Sequence, residues 1–192
     1  MGEAVDFVAY FPYCSDITSD SIYPINLSSQ TNMQEIDIIY SNNAKYILKS
    51  EGKLNLTLIH PLSKLVIYSS AGKGLKTSDL EGMNIELSGV YSQALFHLRN
   101  GLIEPLGEKT TIRMLTDPLG YQSKAILLPV SSKEISISVK LANGNEYHAS
   151  LSEIPSFESQ KIYSINLTIN RTNIEVSSSG IAGWQGVEDD IH

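Results

Sequence analysis

The sequence is poor in the residues that most often carry chemistry. A single cysteine, Cys14, in 192 residues excludes an intramolecular disulfide and any thiolate zinc cage. That count fits a reducing compartment or an exported protein without disulfides, and does not choose between them. Charged residues make up 18% of the chain, below the roughly 25% of an average soluble domain. Positive charge is the scarcer kind: 14 lysines and arginines stand against 21 acids, a formal net charge of −7. Neutralising phosphates needs clustered cations, so no nucleic-acid partner is expected. A polybasic patch for an anionic membrane surface is also missing. No apolar run approaches the roughly 20 residues of a transmembrane helix. Met1 to Asp6 has neither a basic start nor an apolar core, so it does not read as a signal peptide. Its Met-Gly opening, directly before a strand-like stretch, suggests a trimmed chain.

Catalytic and metal signatures are absent too. The histidines are His60, His97, His148 and His192, and no two lie at metal-ligand spacing. His60 reads as a core or edge histidine bonded to backbone. Gly89-Val90-Tyr91-Ser92-Gln93 lacks the closing glycine of a nucleophile elbow. Gly72-Lys73-Gly74 is too short for a phosphate loop and reads as a turn. Glu188-Asp189-Asp190 reads as a solvated acidic tail, and Cys14 as a free strand-end thiol. Tyr10, Phe11 and Tyr13 form an aromatic cluster around Pro12, expected to pack at the end of a sandwich rather than to form a sugar platform. No catalytic, cofactor-binding or metal site is therefore expected, and the chain is not expected to be an enzyme.

What the sequence does have is alternation. Apolar residues occupy every second position at Ile135, Ile137, Val139 and Leu141, with Ser136, Ser138 and Lys140 between them. A strand turns successive side chains to opposite faces, so the first set is buried and the second wet. Tyr163, Ile165, Leu167 and Ile169 repeat the pattern, as do Leu54, Leu56 and Leu58. Shorter versions occur at Ile85 and Leu87, at Ile112 and Met114, and at Ile174 and Val176. Asn143-Gly144 and Asn100-Gly101 are strong hairpin signals. The one helical turn expected lies at Thr77 to Gly82. About nine or ten short strands, each with one wet face, indicate an all-β, antiparallel sandwich.

A polar break from Ser41 to Lys53 divides the chain into 1–52, too few strands to stand alone, and 53–192, enough to close a sandwich. Ser69 to Gly74 is a competing boundary.

Several stretches, in order, resemble the fimbrillin-like proteins of Bacteroidetes, the subunits of surface pili. They are Val8-Ala9-Tyr10-Phe11-Pro12-Tyr13, then Gln30 followed by Asp37-Ile38-Ile39-Tyr40-Ser41, then Leu54 through Leu65 with its His60-Pro61-Leu62-Ser63-Lys64-Leu65 run. Ile162 through Ile169 and Ile181-Ala182-Gly183-Trp184 close the series. The resemblance implies transthyretin-like sandwiches, here one complete in 53–192 and a partial one in 1–52. It also implies an exported surface lipoprotein, although the family's lipid-attachment cysteine and several strands before the Ala-Tyr strand have no counterpart here. Finally it implies assembly by strand exchange into a head-to-tail polymer with other pilin subunits, with surface glycans or proteins as further partners. The candidate donor strand carries Thr172, Ile174, Val176, Ile181 and Trp184, with Ser177-Ser178-Ser179-Gly180 as hinge. A glycan-binding or surface-lipoprotein sandwich domain is the alternative.

Overall fold

A computed structural model describes residues 4–48, 53–152, 154 and 156–185. The 52/53 division, the acidic tail and His192 lie outside the described residues.

The chain is mostly β, with almost no helix. Its strands are β1 (Val5–Phe11), β2 (Ile22–Asn26), β3 (Ile39–Ile47), β4 (Ser63–Ala71), β5 (Asn84–Val90) and β6 (Gln93–His97). Then come β7 (Leu102–Leu106), β8 (Thr110–Arg113), β9 (Leu115–Thr116), β10 (Gln122–Leu127) and β11 (Val130–Ser131). The series ends with β12 (Ser136–Lys140), β13 (Glu146–Ser150), β14 (Ser156–Phe157), β15 (Lys161–Ile169) and β16 (Ile174–Gly183). Helix is limited to α1 (Met33–Ile36) and one 3-10 turn, Thr77–Leu80.

The alternating runs form strands because each had one face to bury. Ile137 and Val139 of β12, Ile85 and Leu87 of β5, and Ile112 of β8 sit in one core. Opposite them lie Leu65 and Ile67 of β4, Ala125 and Leu127 of β10, and Tyr163, Ile165, Leu167 and Ile169 of β15. The four-stranded sheet β13-β12-β5-β8 thus faces the five-stranded sheet β16-β15-β4-β10-β9. Both Asn-Gly hairpins form, β12–β13 around Gly144 and β6–β7 around Gly101, with the glycines at φ +92° and +77°.

One pairing departs from the all-antiparallel expectation. β15 runs parallel to β4, in register from Lys161↔Ser63 to Ile169↔Ala71. A second layer covers the far face of the five-stranded sheet. β2 pairs with β6, and β6 with β7. Tyr23, Ile25, Leu27, Ile38, Tyr40 and Phe96 meet Leu62, Ile126, Leu128 and Trp184 in a smaller core. At this end the central strands are buried on both faces, so β10 finishes as an unbroken apolar run, Ala125 to Leu127, that Leu128 continues. Burial also pushes the Tyr23 phenol up to about 12.

Leu54, Leu56 and Leu58 do not form the expected strand. Residues 53–58 have no regular secondary structure, and Leu56 and Leu58 stay exposed. The Asn43 side chain holds Asn55 O at 2.9 Å and the Thr57 N–H at 3.0 Å, in place of a ladder. Among the described residues, the single bridge Tyr40↔Ile59 pairs the end of this stretch with β3, and Leu54, Leu56 and Leu58 belong to neither core.

Gly89 shows how tightly the larger core closes. It is the bulge residue between Ser88↔Thr111 and Val90↔Thr110, with φ +83°. A Cβ there would lie 2.3 Å from the Glu134 carbonyl oxygen. Gly89→Ala is expected to lower stability by about 2–4 kcal/mol, combining backbone strain with overpacking. Urea unfolding checks this, and a loss well under ~1 kcal/mol would show that the bulge relaxes freely.

Candidate functional site: the C-terminal edge strand

The candidate donor residues all fall on one hairpin, but they meet different surroundings. Asn170, between β15 and β16, is buried and fixes the turn. Its N–H donates to Asn173 O at 2.8 Å, and its Oδ1 accepts from the Lys73 N–H at 2.8 Å. Thr172 stands exposed in that turn. Ile174 and Val176, half-buried, pack against the larger core opposite Ile169 and Leu167. Ile181 is 59% exposed, opposite Tyr163. Trp184, just past the strand, is 8% exposed and belongs to the smaller core. β16 therefore leans on both cores, one at each end.

The Ser177-Ser178-Ser179-Gly180 segment, expected as a hinge, lies inside β16. It pairs with β15 through a register shift, Ile165↔Ser178 being followed by Ser164↔Gly180. A bulge absorbs the extra residue without breaking the strand.

The far end of β16 is held by rings and charge. The Trp184 ring stacks on His60, with centroids 4.2 Å apart and planes 10° from parallel. Lys64 Nζ lies 5.3 Å from the same indole centroid, a cation–π contact. The Trp184 backbone N–H donates to Gln160 O at 2.7 Å, and the Gln160 backbone N–H is shared between the carbonyls of His60 and Leu62. Behind the stack, His60 Nδ1 lies 2.7 Å from Asp37 Oδ1. His60 is thus a core histidine, but its ring partner is a carboxylate rather than backbone.

A His–Asp pair supplies two of the three members of a hydrolytic triad. Here the imidazole is 4% exposed and covered by indole, and among the described residues no serine or cysteine side chain bonds it. Its chemistry is to orient Trp184. No cluster of three metal-ligating side chains occurs among the described residues. Of the aromatic cluster near the N-terminus, Tyr10 packs edge-on against Tyr23 at 5.8 Å, whereas Phe11 and Tyr13 are exposed. Cys14 is a free thiol, half-buried against the smaller core.

The outer edge of β16 has no strand partner among the described residues. From Val176 to Gly183 it carries no charged residue and no proline, the two devices that most often block edge pairing. A β-rich chain marked by a long, uncharged sheet edge is a protein suited to pairing with other chains.

The fimbrillin-like family model matches residues 1–184, and the chain belongs to that family. It is 27% identical over 186 residues to a protein of Bacteroides uniformis assigned as fimbrium subunit Fim1C. That match takes in 93% of this chain, which spans 61% of that relative's length. Among solved structures, a protein of B. uniformis assigned to cell adhesion superposes with a TM-score of 0.85 at 25% identity, covering 96% of this chain and 74% of that one. The tip fimbrial protein Mfa3 of Porphyromonas gingivalis, with a C-terminal truncation, shares the fold at TM-score 0.55 and 14% identity, over 84% of this chain and 70% of that one. The family is one of structural and adhesive proteins, not of enzymes.

Proposed function

We propose that the chain is a subunit of a bacterial surface pilus that assembles with other pilin subunits, head to tail, by exchange of β-strands. The two facing sheets then form a transthyretin-like sandwich within 53–192, and 1–52 supplies part of an N-terminal β-domain.

One observation carries this reading: β16 is an edge strand, attached to its sheet through β15 alone. An edge strand can leave without opening a sheet on both sides. The groove it vacates would present unpaired backbone along β15 and the apolar surface that Ile174, Val176 and Trp184 had covered. A β16 from a neighbouring copy fits that groove residue for residue, so the pairing given up within a chain is remade between chains. Because such an interface is heterologous, it propagates into a filament instead of closing. A fibre built this way stands at the cell surface.

Asn166 and Ser177 are cross-strand partners with exposed side chains, close enough for a disulfide. In the natural full-length precursor with Cys14→Ser, the double variant Asn166→Cys/Ser177→Cys tests the exchange by electron microscopy and non-reducing gels. Oxidation before assembly is expected to lock β16 onto its own chain and abolish filaments, and reduction to restore them. Filaments that are oxidised after assembly should give covalent ladders. Locked subunits that still polymerise would overturn β16 as donor. A precursor that stays monomeric and never reaches the cell surface would overturn the pilus reading itself.

A further inference from the structure

Away from β16, a cleft of about 520 Å³ opens between the 28–31 loop, the 82–84 segment and the stretch 113–118. Gln30 holds the first wall in place, because its side-chain amide is bonded to the backbone of Ile126. That positions Ser28, Ser29 and Thr31 along the rim. Ser29 and Thr31 hydroxyls lie 3.0 Å apart, and Ser28 is fixed by two bonds to Asn26 Oδ1. Leu115 and Pro118, exposed, add an apolar lining over Met83 and Met114, which belong to the larger core beneath.

Arg113 stands on the opposite side, exposed and in no ion pair among the described residues. Its Nη2 donates to Asn84 Oδ1. The same two residues also line an adjoining hollow of about 280 Å³ on the outer face of the four-stranded sheet, together with Ser138 and Lys140. The carboxylates nearby are either occupied or opposed to Arg113. Asp117 accepts from the Leu119 and Gln122 N–H groups. Glu86 lies directly across the ladder from Arg113, and Glu146 lines the hollow beyond.

The geometry points to this cleft as a binding site for a neutral saccharide. A sugar ring has an apolar C–H face, which suits the exposed Leu115 and Pro118. Its equatorial hydroxyls both donate and accept, which suits a rim of serine and threonine hydroxyls, an asparagine amide and a guanidinium. The volume falls in the usual range for a bound small molecule. Glu86 and Glu146 beside Arg113 oppose a strongly acidic ligand, and so does the net charge of −7. A purely apolar ligand would strand the polar rim without partners. The site includes β9, at the edge of the five-stranded sheet opposite β16, and no residue of β15 or β16, so it is independent of strand exchange.

The test is an array of neutral and sialylated oligosaccharides probed with the folded chain, followed by saturation-transfer NMR on any neutral saccharide retained. Arg113→Ala is expected to weaken that binding at least about tenfold, the cost of one lost charge-assisted hydrogen bond. Ser29→Trp, which fills the cleft from the opposite wall, is expected to abolish it, while Tyr13→Ala on the exposed N-terminal rings leaves it unchanged. Circular dichroism confirms that each variant is folded. Failure to retain any neutral saccharide would overturn the proposal. So would retention of sialylated ones alone, or binding that survives both cleft variants and is lost in Tyr13→Ala.

Discussion

Replacing Trp184 with alanine is expected to destabilise the chain by about 3–5 kcal/mol, the usual cost of emptying a buried tryptophan site. The expectation rests on position as much as on size. Trp184 is 8% exposed in the smaller core, where it covers His60 and lies beneath Lys64. Removing it uncovers the imidazole and leaves Lys64 without its ring. The loss should also be local. Ile174 and Val176 lean on the larger core, whereas Trp184 alone ties the far end of β16 to the smaller one. Hydrogen exchange should therefore show amides near Ile181 to Gly183 losing protection while those near Ile174 and Val176 keep theirs. Trp184→Phe should recover much of the stability, since it keeps an aromatic face on His60. Urea denaturation measures the first part. A uniform loss of protection along β16, or a cost below ~1 kcal/mol, would show that the ring does not anchor the strand.

Removing the Gln30 side chain is expected to cost about 2–5 kcal/mol, because it strands three buried backbone groups, the Ile126 N–H and the carbonyls of Ile126 and Leu27. β9 pairs with β10 only at Ser123↔Thr116 and Lys124↔Leu115, then stops. Two residues further along, Ile126 turns its N–H and C=O toward the place where β9 would have continued. Gln30 fills that place. Its Oε1 accepts the Ile126 N–H at 2.8 Å, and its Nε2 donates to Ile126 O at 3.2 Å and to Leu27 O at 2.8 Å. One side-chain amide thus substitutes for a residue of a neighbouring strand and ties the N-terminal layer to the sheet. Gln30→Ala leaves both Ile126 groups unpaired. Gln30→Glu keeps the size but loses the donor and sets a carboxylate beside two carbonyl oxygens, so it should cost at least as much. Were the glutamate variant as stable as the parent, hydrogen bonding would not be the reason for burying Gln30. The same substitutions should also loosen the 28–31 wall of the Arg113 cleft.

Much of this was legible in the sequence, and the unread part has a physical pattern. The alternating runs at Ile135–Leu141 and Tyr163–Ile169 became β12 and β15 with the expected faces buried. The hairpins closed at Asn-Gly, because a short turn whose glycine takes a positive φ is a local matter. Leu54, Leu56 and Leu58 carry the same alternation and form no strand, since alternation says that a face could be buried and not that a sheet is there to receive it. The resemblance singled out Gln30, Asp37 and His60 without giving them roles, and put Trp184 on the candidate donor strand without its ring contact to His60. Those roles need Gln30 to meet Ile126 and His60 to meet Trp184, pairs of residues remote in sequence.

The scarcity of charge, of cysteine and of long apolar runs, together with the period of two, determined by themselves a β-rich chain with polar wet faces and no metal or thiol chemistry to read. Only the tertiary structure decided that β15 runs parallel to β4, that the five-stranded sheet is covered on both faces at one end, and that β16 stands at its edge. The physical reason is one of range. A side chain's face is set by its immediate neighbours along the backbone, whereas a strand's partner is set by which distant surfaces can be buried together.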